Sequence, residues 1–238
     1  MAMDAFSASL MKDKREIVIA PTIYKFDTFD AFAEEFQLGE RDVVLTNEFI
    51  YKPFMEELGL KSKFVFQEKF GAGEPSEAMI ETMYAAIPYE SYDRVIAIGG
   101  GSAIDSAKSI REFATRASQK EVALIAIPTT SGTGSEVTSF AVVSDPANDI
   151  KYPLVSDSML PTEAILDADL VKSVPANITA DTGMDVLTHA IEAYVSINNN
   201  EFSAALAEKS IEICGTFLLR SYLDNNDTHA RKKMHVAS

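Results

Sequence analysis

Along the first 170 residues, short runs rich in Val, Ile and Phe alternate with longer stretches in which apolar residues recur every three or four positions. The first texture is that of strands and the second that of amphipathic helices. Strands are expected at Glu16–Ala20, Asp42–Thr46, Phe64–Phe66, Arg94–Ile98 and Val122–Ile127, and helices at Thr28–Phe36, Tyr51–Leu58, Ser76–Ile87 and Ser102–Ala117. Ser76 carries the side chain of an N-cap. Such interleaving predicts an α/β fold around a largely parallel sheet, because parallel neighbours need a crossover and a helix usually supplies it. From Phe140 the texture changes: Phe140–Ser144, Tyr152–Ser156 and Ala164–Leu166 are expected to form a flap or hairpin outside the main sheet.

Beyond Pro175 the period is helical throughout, over Asn177–Val195, Glu201–Leu223 and Thr228–Ser238, with polar turns at Asn198–Asn200 and Asp224–Asp227. The change of texture places a domain boundary there, with an α/β domain over residues 1–175 and a helical one over 176–238. The last helix stops at Ser238 without a capping residue, which reads as an incomplete all-α domain in a C-terminally truncated chain. Such a domain is expected to expose an apolar face and to favour self-association into a homo-oligomer.

A chain of 238 residues with 47% hydrophobic composition can bury a sizeable core. Its net charge of −15, with no basic stripe, argues against sequence-independent binding of nucleic acid. No apolar run reaches bilayer length, and Met1–Phe6 lacks the basic start of a signal peptide, so no membrane partner and a cytoplasmic location are expected. The single cysteine, Cys214, cannot form an internal disulfide and reads as core.

Three local patterns carry candidate chemistry. The apolar run Val95–Ile98 ends in Gly99-Gly-Gly101 followed by Ser102 and a helical pattern. Glycines let the backbone approach a phosphate closely, and the helix start offers unpaired N–H groups. The spacing is not G-x-G-x-x-G, so a standard dinucleotide fingerprint is absent, and a tight turn that binds nothing is the alternative. The second pattern, Thr129-Thr-Ser-Gly-Thr-Gly-Ser135, packs hydroxyls into a turn suited to phosphate, ribose or a carboxamide. Asn47, after the strand at 42–46, stands where a ribose would be read. Asn47 can hydrogen-bond a 2′-hydroxyl but repels no 2′-phosphate. Lys151 could reach a phosphate or ribose oxygen as a long point charge. The third pattern sets Asp185 and His189 four residues apart, on one face of a helix. By itself that is a solvated pair or two ligands of an unfinished metal site, since most sites need three or four. His229 and His235 lie on different faces of their helix and read as surface residues.

Taken together, Gly99–Lys108, Ile127–Thr138, the Asp-Ala-Asp at 167–169 and Thr182–Tyr194 resemble the iron-dependent, or group III, alcohol dehydrogenases. Tyr24–Asp27, Leu45–Phe54 and Phe66–Ser76 resemble, within that family, the 4-hydroxybutyrate dehydrogenase branch. The resemblance implies an N-terminal dinucleotide-binding domain facing a helical metal-binding domain. It implies hydride transfer between NAD and a small primary alcohol or aldehyde, 4-hydroxybutyrate and succinate semialdehyde first. A divalent metal, iron or alternatively zinc, would polarise the substrate oxygen. Residue by residue it implies Asp185 and His189 as metal ligands acting in catalysis through the ion, and Gly100, Gly101 and Ser102 as the pyrophosphate loop. It further implies Thr129, Thr130 and Thr138 as cofactor contacts, Lys151 as the cofactor lysine and Asn47 as the ribose reader. The family's two remaining ligands are histidines farther along than this chain extends, and neither His229 nor His235 matches them. The alternatives are an inactive NAD-binding fragment, another metal- and NAD-dependent alcohol dehydrogenase of the family, and a lyase of the dehydroquinate synthase type, against which Thr182–His189 argues.

Overall fold

The computed structural model describes residues 19–71 and 73–238. Six strands form one parallel sheet: β1 (Thr22–Phe26), β2 (Asp42–Thr46), β3 (Lys63–Phe66), β4 (Arg94–Gly99), β5 (Ala123–Pro128) and β8 (Glu163–Asp167). Their spatial order is β1-β8-β5-β4-β2-β3. Helices α1 (Phe29–Glu35), α2 (Glu48–Phe54), α3 (Glu77–Ala85) and α4 (Gly101–Ser118) make the successive crossovers. The pleat divides each central strand between two cores. Val43, Leu45, Val95, Ala97 and Leu124 face α3 and α4, while Val44, Ile96, Ile98 and Ile125 face α1 and α2. A fully buried side chain such as Ile96 contributes about 1.5–3 kcal/mol relative to exposure, which is why these strands read as continuous apolar runs.

The α/β expectation holds, with three local corrections. The expected first strand, Glu16–Ala20, lies mostly outside the described residues, and Ile19 and Ala20 precede the observed strand. That strand starts at Thr22 and places Tyr24 and Phe26 edge-on against Phe36. The expected helix Tyr51–Leu58 is instead α2, followed by a separate single turn at Glu56–Leu58, because Pro53 lacks an N–H and Met55 leaves helical geometry. Ala164–Leu166 does not join the flap. As β8 it inserts between β5 and β1, with Ala164 and Ile165 buried. The flap itself is the antiparallel hairpin of β6 (Phe140–Asp145) and β7 (Ile150–Val155), outside the main sheet as expected.

A short helix, α5 (Ala168–Lys172), leads into α6 (Ala176–Val195), α7 (Glu201–Leu223) and α8 (Thr228–Ala237). Asn200 ends the preceding turn and caps α7, accepting from the N–H groups of Phe202 and Ser203 while the Ser203 hydroxyl accepts from its own N–H. Val186, Ile213, Cys214 and Met234 form the core of this helical part. Cys214 is buried there, and burial pushes its thiol pKa up. Arg231 of α8 ties that helix to α5 and the link after it by donating to the carbonyls of Val171 and Val174 at 2.9 and 3.2 Å. Met184, Ile191, Val195, Phe202, Leu206 and Leu219 remain exposed on α6 and α7. No described helix is long and apolar enough to cross a membrane.

One buried cation joins the parts nearest the glycine loop. Lys108 of α4 is fully buried and donates to the Thr138 hydroxyl at 2.9 Å and to the Phe140 carbonyl at 2.6 Å, with an Asp105 oxygen at 3.8 Å. Asp105 in turn accepts from the backbone N–H of Val142 at 2.9 Å. Burial lowers the Lys108 pKa to about 8 from 10.5 and raises those of Asp105 and Glu136. Between about 8 and 10.5 the unfolded chain binds the extra proton, so this lysine makes stability rise with pH across that window. Lys108→Met is therefore expected to cost about 3 kcal/mol near neutral pH, by stranding the buried acceptors, and to flatten that rise. Urea unfolding of both proteins at neutral and alkaline pH checks the two effects.

Candidate functional site

The chain leaves β2 outward to β3 and then returns to β4 on the other side of β2, so the connections diverge between β2 and β4. In an open parallel sheet that divergence leaves a crevice at the carboxyl ends of the strands, the usual place for a ligand. Asn47 follows β2 there and Gly99 ends β4. The Asn47 Oδ1 lies 3.8 Å from where a Cβ on Gly99 would be. Gly100 is extended, with φ −73° and ψ −175°, and caps α4, which starts at Gly101. The first backbone N–H groups of an eighteen-residue helix thus open on the crevice. Ser102 does not stand free. Its hydroxyl accepts from Gln67 at 2.7 Å and donates to the Gly73 carbonyl at 2.6 Å. Asn47 is also engaged, donating through Nδ2 to Glu68 Oε2 at 2.9 Å, while Glu68 Oε1 accepts the backbone N–H of Glu48 at 2.6 Å.

The hydroxyl turn lies against this loop. Its first residue donates from the Thr129 N–H to the Gly99 carbonyl at 3.0 Å. The Thr130 hydroxyl lies 3.3 Å from the Cβ position of Gly100, and the Thr133 side chain 2.8 Å from that of Gly101. Thr138 is held by Lys108, as described. Lys151 projects from β7 and pairs with Glu74 at 2.7 Å, next to the Gly73 carbonyl that Ser102 binds. Asn47, Gly100, Gly101, Ser102, Thr129, Thr130, Thr138 and Lys151 are thus linked through one set of contacts at one end of the sheet. Gln67, Glu68 and the Asp105–Lys108 pair also belong there and were not singled out from sequence. The first two follow β3, and nothing local marks them. The pair sits three apart inside the glycine-loop helix, a spacing that could have flagged it.

On α6, His189 Nε2 lies 3.6 Å from Asp185 Oδ1, with side chains 51% and 40% exposed. The two donors face the same side of the helix, as the spacing requires. Among the described residues, no group of three or more His, Cys, Asp or Glu side chains could hold a metal ion. The pair therefore fits as part of a coordination shell and not as a complete site. One turn earlier on α6, Thr182 packs on the hydroxyl turn, its Cβ 2.8 Å and its carbonyl 3.2 Å from where a Cβ on Gly132 would be. The helix carrying the pair and the turn facing the glycine loop are thus in direct contact. His229 is exposed, as expected, but His235 is not a surface residue. It is 3% exposed, with Nδ1 3.2 Å from the Ser131 hydroxyl, and burial lowers its pKa to about 4. It faces inward because α8 turns Met234 and Ala237 toward α7 and brings the neighbouring position onto the hydroxyl turn. Asp167, the first acid of Asp-Ala-Asp, is buried at the end of β8, and burial raises its pKa to about 6.

The glycine loop, the hydroxyl turn and the helix bearing the Asp185–His189 pair thus pack on one another at one end of the sheet. The family model of iron-containing alcohol dehydrogenases matches residues 21–168, and that of the family's C-terminal part matches residues 179–238. The chain belongs to the iron-containing alcohol dehydrogenase family. It is 40% identical over 205 residues to 4-hydroxybutyrate dehydrogenase of Clostridium kluyveri, covering 82% of this chain and 55% of that protein. Over 146 residues it is 53% identical to 1-propanol dehydrogenase PduQ of Citrobacter freundii, covering 61% of this chain and 40% of the relative. The chain thus spans about half the length of the curated relatives it matches. Sulfoacetaldehyde reductase from Bifidobacterium kashiwanohense, solved in complex with NAD+, superposes with a TM-score of 0.80 at 28% identity, covering 93% of this chain and 65% of that one. The iron-containing alcohol dehydrogenase from Thermococcus thioreducens gives a TM-score of 0.80 at 27% identity, covering 93% and 64%.

Packing separates two glycine substitutions. At Gly132 an added Cβ meets the Thr182 Cβ and backbone carbonyl, which are fixed to α6, whereas at Gly215 in α7 nothing lies within 4 Å of it. Gly132→Ala is expected to destabilise by about 2 kcal/mol, and Gly215→Ala to stabilise by up to about 1 kcal/mol through helix propensity. Thermal unfolding of the two variants against the parent chain tests the order.

Proposed function

We propose that the protein is an NAD-dependent alcohol dehydrogenase that transfers a hydride between the nicotinamide and a small primary alcohol, with 4-hydroxybutyrate and succinate semialdehyde as the preferred pair. The observation that carries this reading is the contact between Gly132 in the hydroxyl turn and Thr182 on the helix that bears Asp185 and His189. It supports the reading by bringing the turn proposed to face the cofactor beside the helix proposed to bind the metal, the juxtaposition that hydride transfer to a polarised carbonyl needs. The substrate pair is supported by the 40% identity to the Clostridium kluyveri enzyme.

In this reading residues 1–175 are the cofactor domain and residues 176–238 the first part of a helical metal-binding domain. Gly100, Gly101 and Ser102 receive the pyrophosphate, with the N–H groups at the start of α4 as donors. Asn47 meets the ribose, and Thr129, Thr130 and Thr138 orient the rest of the cofactor. Lys151 leaves Glu74 to pair with a phosphate or ribose oxygen. Asp185 and His189 hold part of the coordination shell of a divalent ion, iron first and zinc second. When bound, that ion supplies Lewis-acid polarisation of the substrate oxygen. The exposed apolar residues of α6 and α7 support a homo-oligomer, and the protein is placed in the cytoplasm without nucleic-acid or membrane partners.

NADH fluorescence titration and NADH formation from 4-hydroxybutyrate, each with ferrous iron or zinc supplied, test the reading on the purified chain. Saturable NADH binding is expected, and its absence would refute the cofactor site. Metal retention on equilibrium dialysis is expected to be weak, and His189→Ala should reduce it about tenfold or more while NADH binding stays unchanged. Metal content equal to the parent's in that variant would remove His189 from the ligand set. Binding of NADH without turnover would favour the second reading, a cofactor-binding portion that needs further ligands for chemistry.

A further inference from the structure

The ribose-reading position of this chain is an amide, which discriminates poorly between a 2′-hydroxyl and a 2′-phosphate. The structure adds a charge beside it. β2 and β3 are parallel neighbours in register, with Thr46 opposite Phe66, so the residues that follow each strand emerge side by side. The turn Gln67–Lys69 after β3 therefore brings Glu68 onto Asn47. One Glu68 oxygen accepts from Asn47 Nδ2 at 2.9 Å and the other accepts the backbone N–H of Glu48 at 2.6 Å. The nearby lysines are otherwise engaged: Lys69 and Lys52 pair with Glu48 at 3.1 and 3.2 Å. Among the described residues, no cation lies within ion-pair distance of Glu68, so its charge faces the crevice uncompensated.

We propose that Glu68 is the residue that selects NAD over NADP: its carboxylate occupies the two donors a 2′-phosphate would need and repels that phosphate by charge. A 2′-hydroxyl suits the same place, since it can donate to Glu68 while accepting from Asn47. The carboxylate that an acidic ribose reader carries at the end of its own strand comes here from the end of the neighbouring strand, 21 residues further on. This inference rests on the nucleotide reading given above and adds its specificity. Glu68 is exposed and lies outside both cores, so replacing it should leave the fold intact.

The test is to titrate NADH and NADPH separately into the parent chain, Glu68→Gln and Glu68→Lys, with circular dichroism confirming the fold of each. The parent should bind NADPH about tenfold or more weakly than NADH. Glu68→Gln should narrow that ratio about fivefold or more, chiefly by tightening NADPH, and Glu68→Lys should narrow it further. The parent's preference should shrink as ionic strength rises, because the opposing charges are solvent-exposed and screened. An unchanged ratio in Glu68→Gln, or equal weakening of both cofactors, would overturn the assignment while leaving the nucleotide site standing. A parent chain that prefers NADPH would overturn it as well. A parent that binds neither cofactor would refute the nucleotide reading and this inference with it.

Discussion

Three separate pieces of the chain meet at the ammonium of Lys108. The helix that follows the glycines carries it, Thr138 at the end of the hydroxyl turn accepts from it, and so does the carbonyl of Phe140 at the start of the hairpin. A lysine buried in a sheet-and-helix core is costly, and its lowered pKa expresses that cost. The hydrogen bonds and the carboxylates of Asp105 and Glu136 offset it only if all these groups keep their places. A desolvated charge of this kind tolerates few arrangements of its neighbours, so it fixes how the turn and the hairpin sit on α4. The position of Lys151 follows, because β7 is registered on β6 with Ser144 opposite Lys151.

The rest of the site is a consequence of sheet topology. Parallel strands deliver their following residues to one edge, and the divergence between β2 and β4 keeps helices from covering it. Asn47, the glycines and Thr129 are consecutive products of that rule, each being the first residue or residues after a strand or its last. Their spacing in the sequence, about fifty residues from Asn47 to the glycines and about thirty from the glycines to Thr129, carries no information about their adjacency in space. The fold supplies it.

What could be read from the sequence was whatever local periodicity decides. β2 and α7 have the bounds their patterns implied, and the N-cap at Ser76 accepts from Met79 as its side chain suggested. Legibility fails where a distant partner decides. The stretch Ala164–Leu166 looks like one more short extended piece, and only the open edge of β5 makes it a strand of the main sheet. His235 occupies a position that a helical wheel leaves ambiguous, and the partner that draws it inward, Ser131, is 104 residues away. Glu68 was invisible for the same reason. Nothing in Gln-Glu-Lys distinguishes a surface turn from one that delivers a carboxylate to the end of the next strand. The motifs named residues that the fold brings together, then, but not the buried or bridging groups that hold them.

An asymmetry remains between the two halves of the candidate chemistry. The cofactor side is closed by interactions within the described residues: a buried cation, paired carboxylates, and a turn bonded to the strand end it faces. The metal side has no comparable enclosure. Asp185 and His189 are aligned by helix geometry alone, half-exposed, on a helix whose neighbouring surface is apolar and open. Preorganisation is therefore unequal. A ligand that needs the crevice meets donors already held at fixed positions and gives up little conformational freedom, whereas an ion at the pair must recruit the rest of its shell from water or from further donors. The Gly132–Thr182 contact is what relates the two, and it acts in one direction. It fixes where the helix stands relative to the hydroxyl turn, and so, on the proposed function, where an ion would stand relative to a nicotinamide, but it adds no ligand. On the proposed function, then, the α/β part brings its contacts already in place, whereas the Asp185–His189 pair offers an ion two donors and no enclosure.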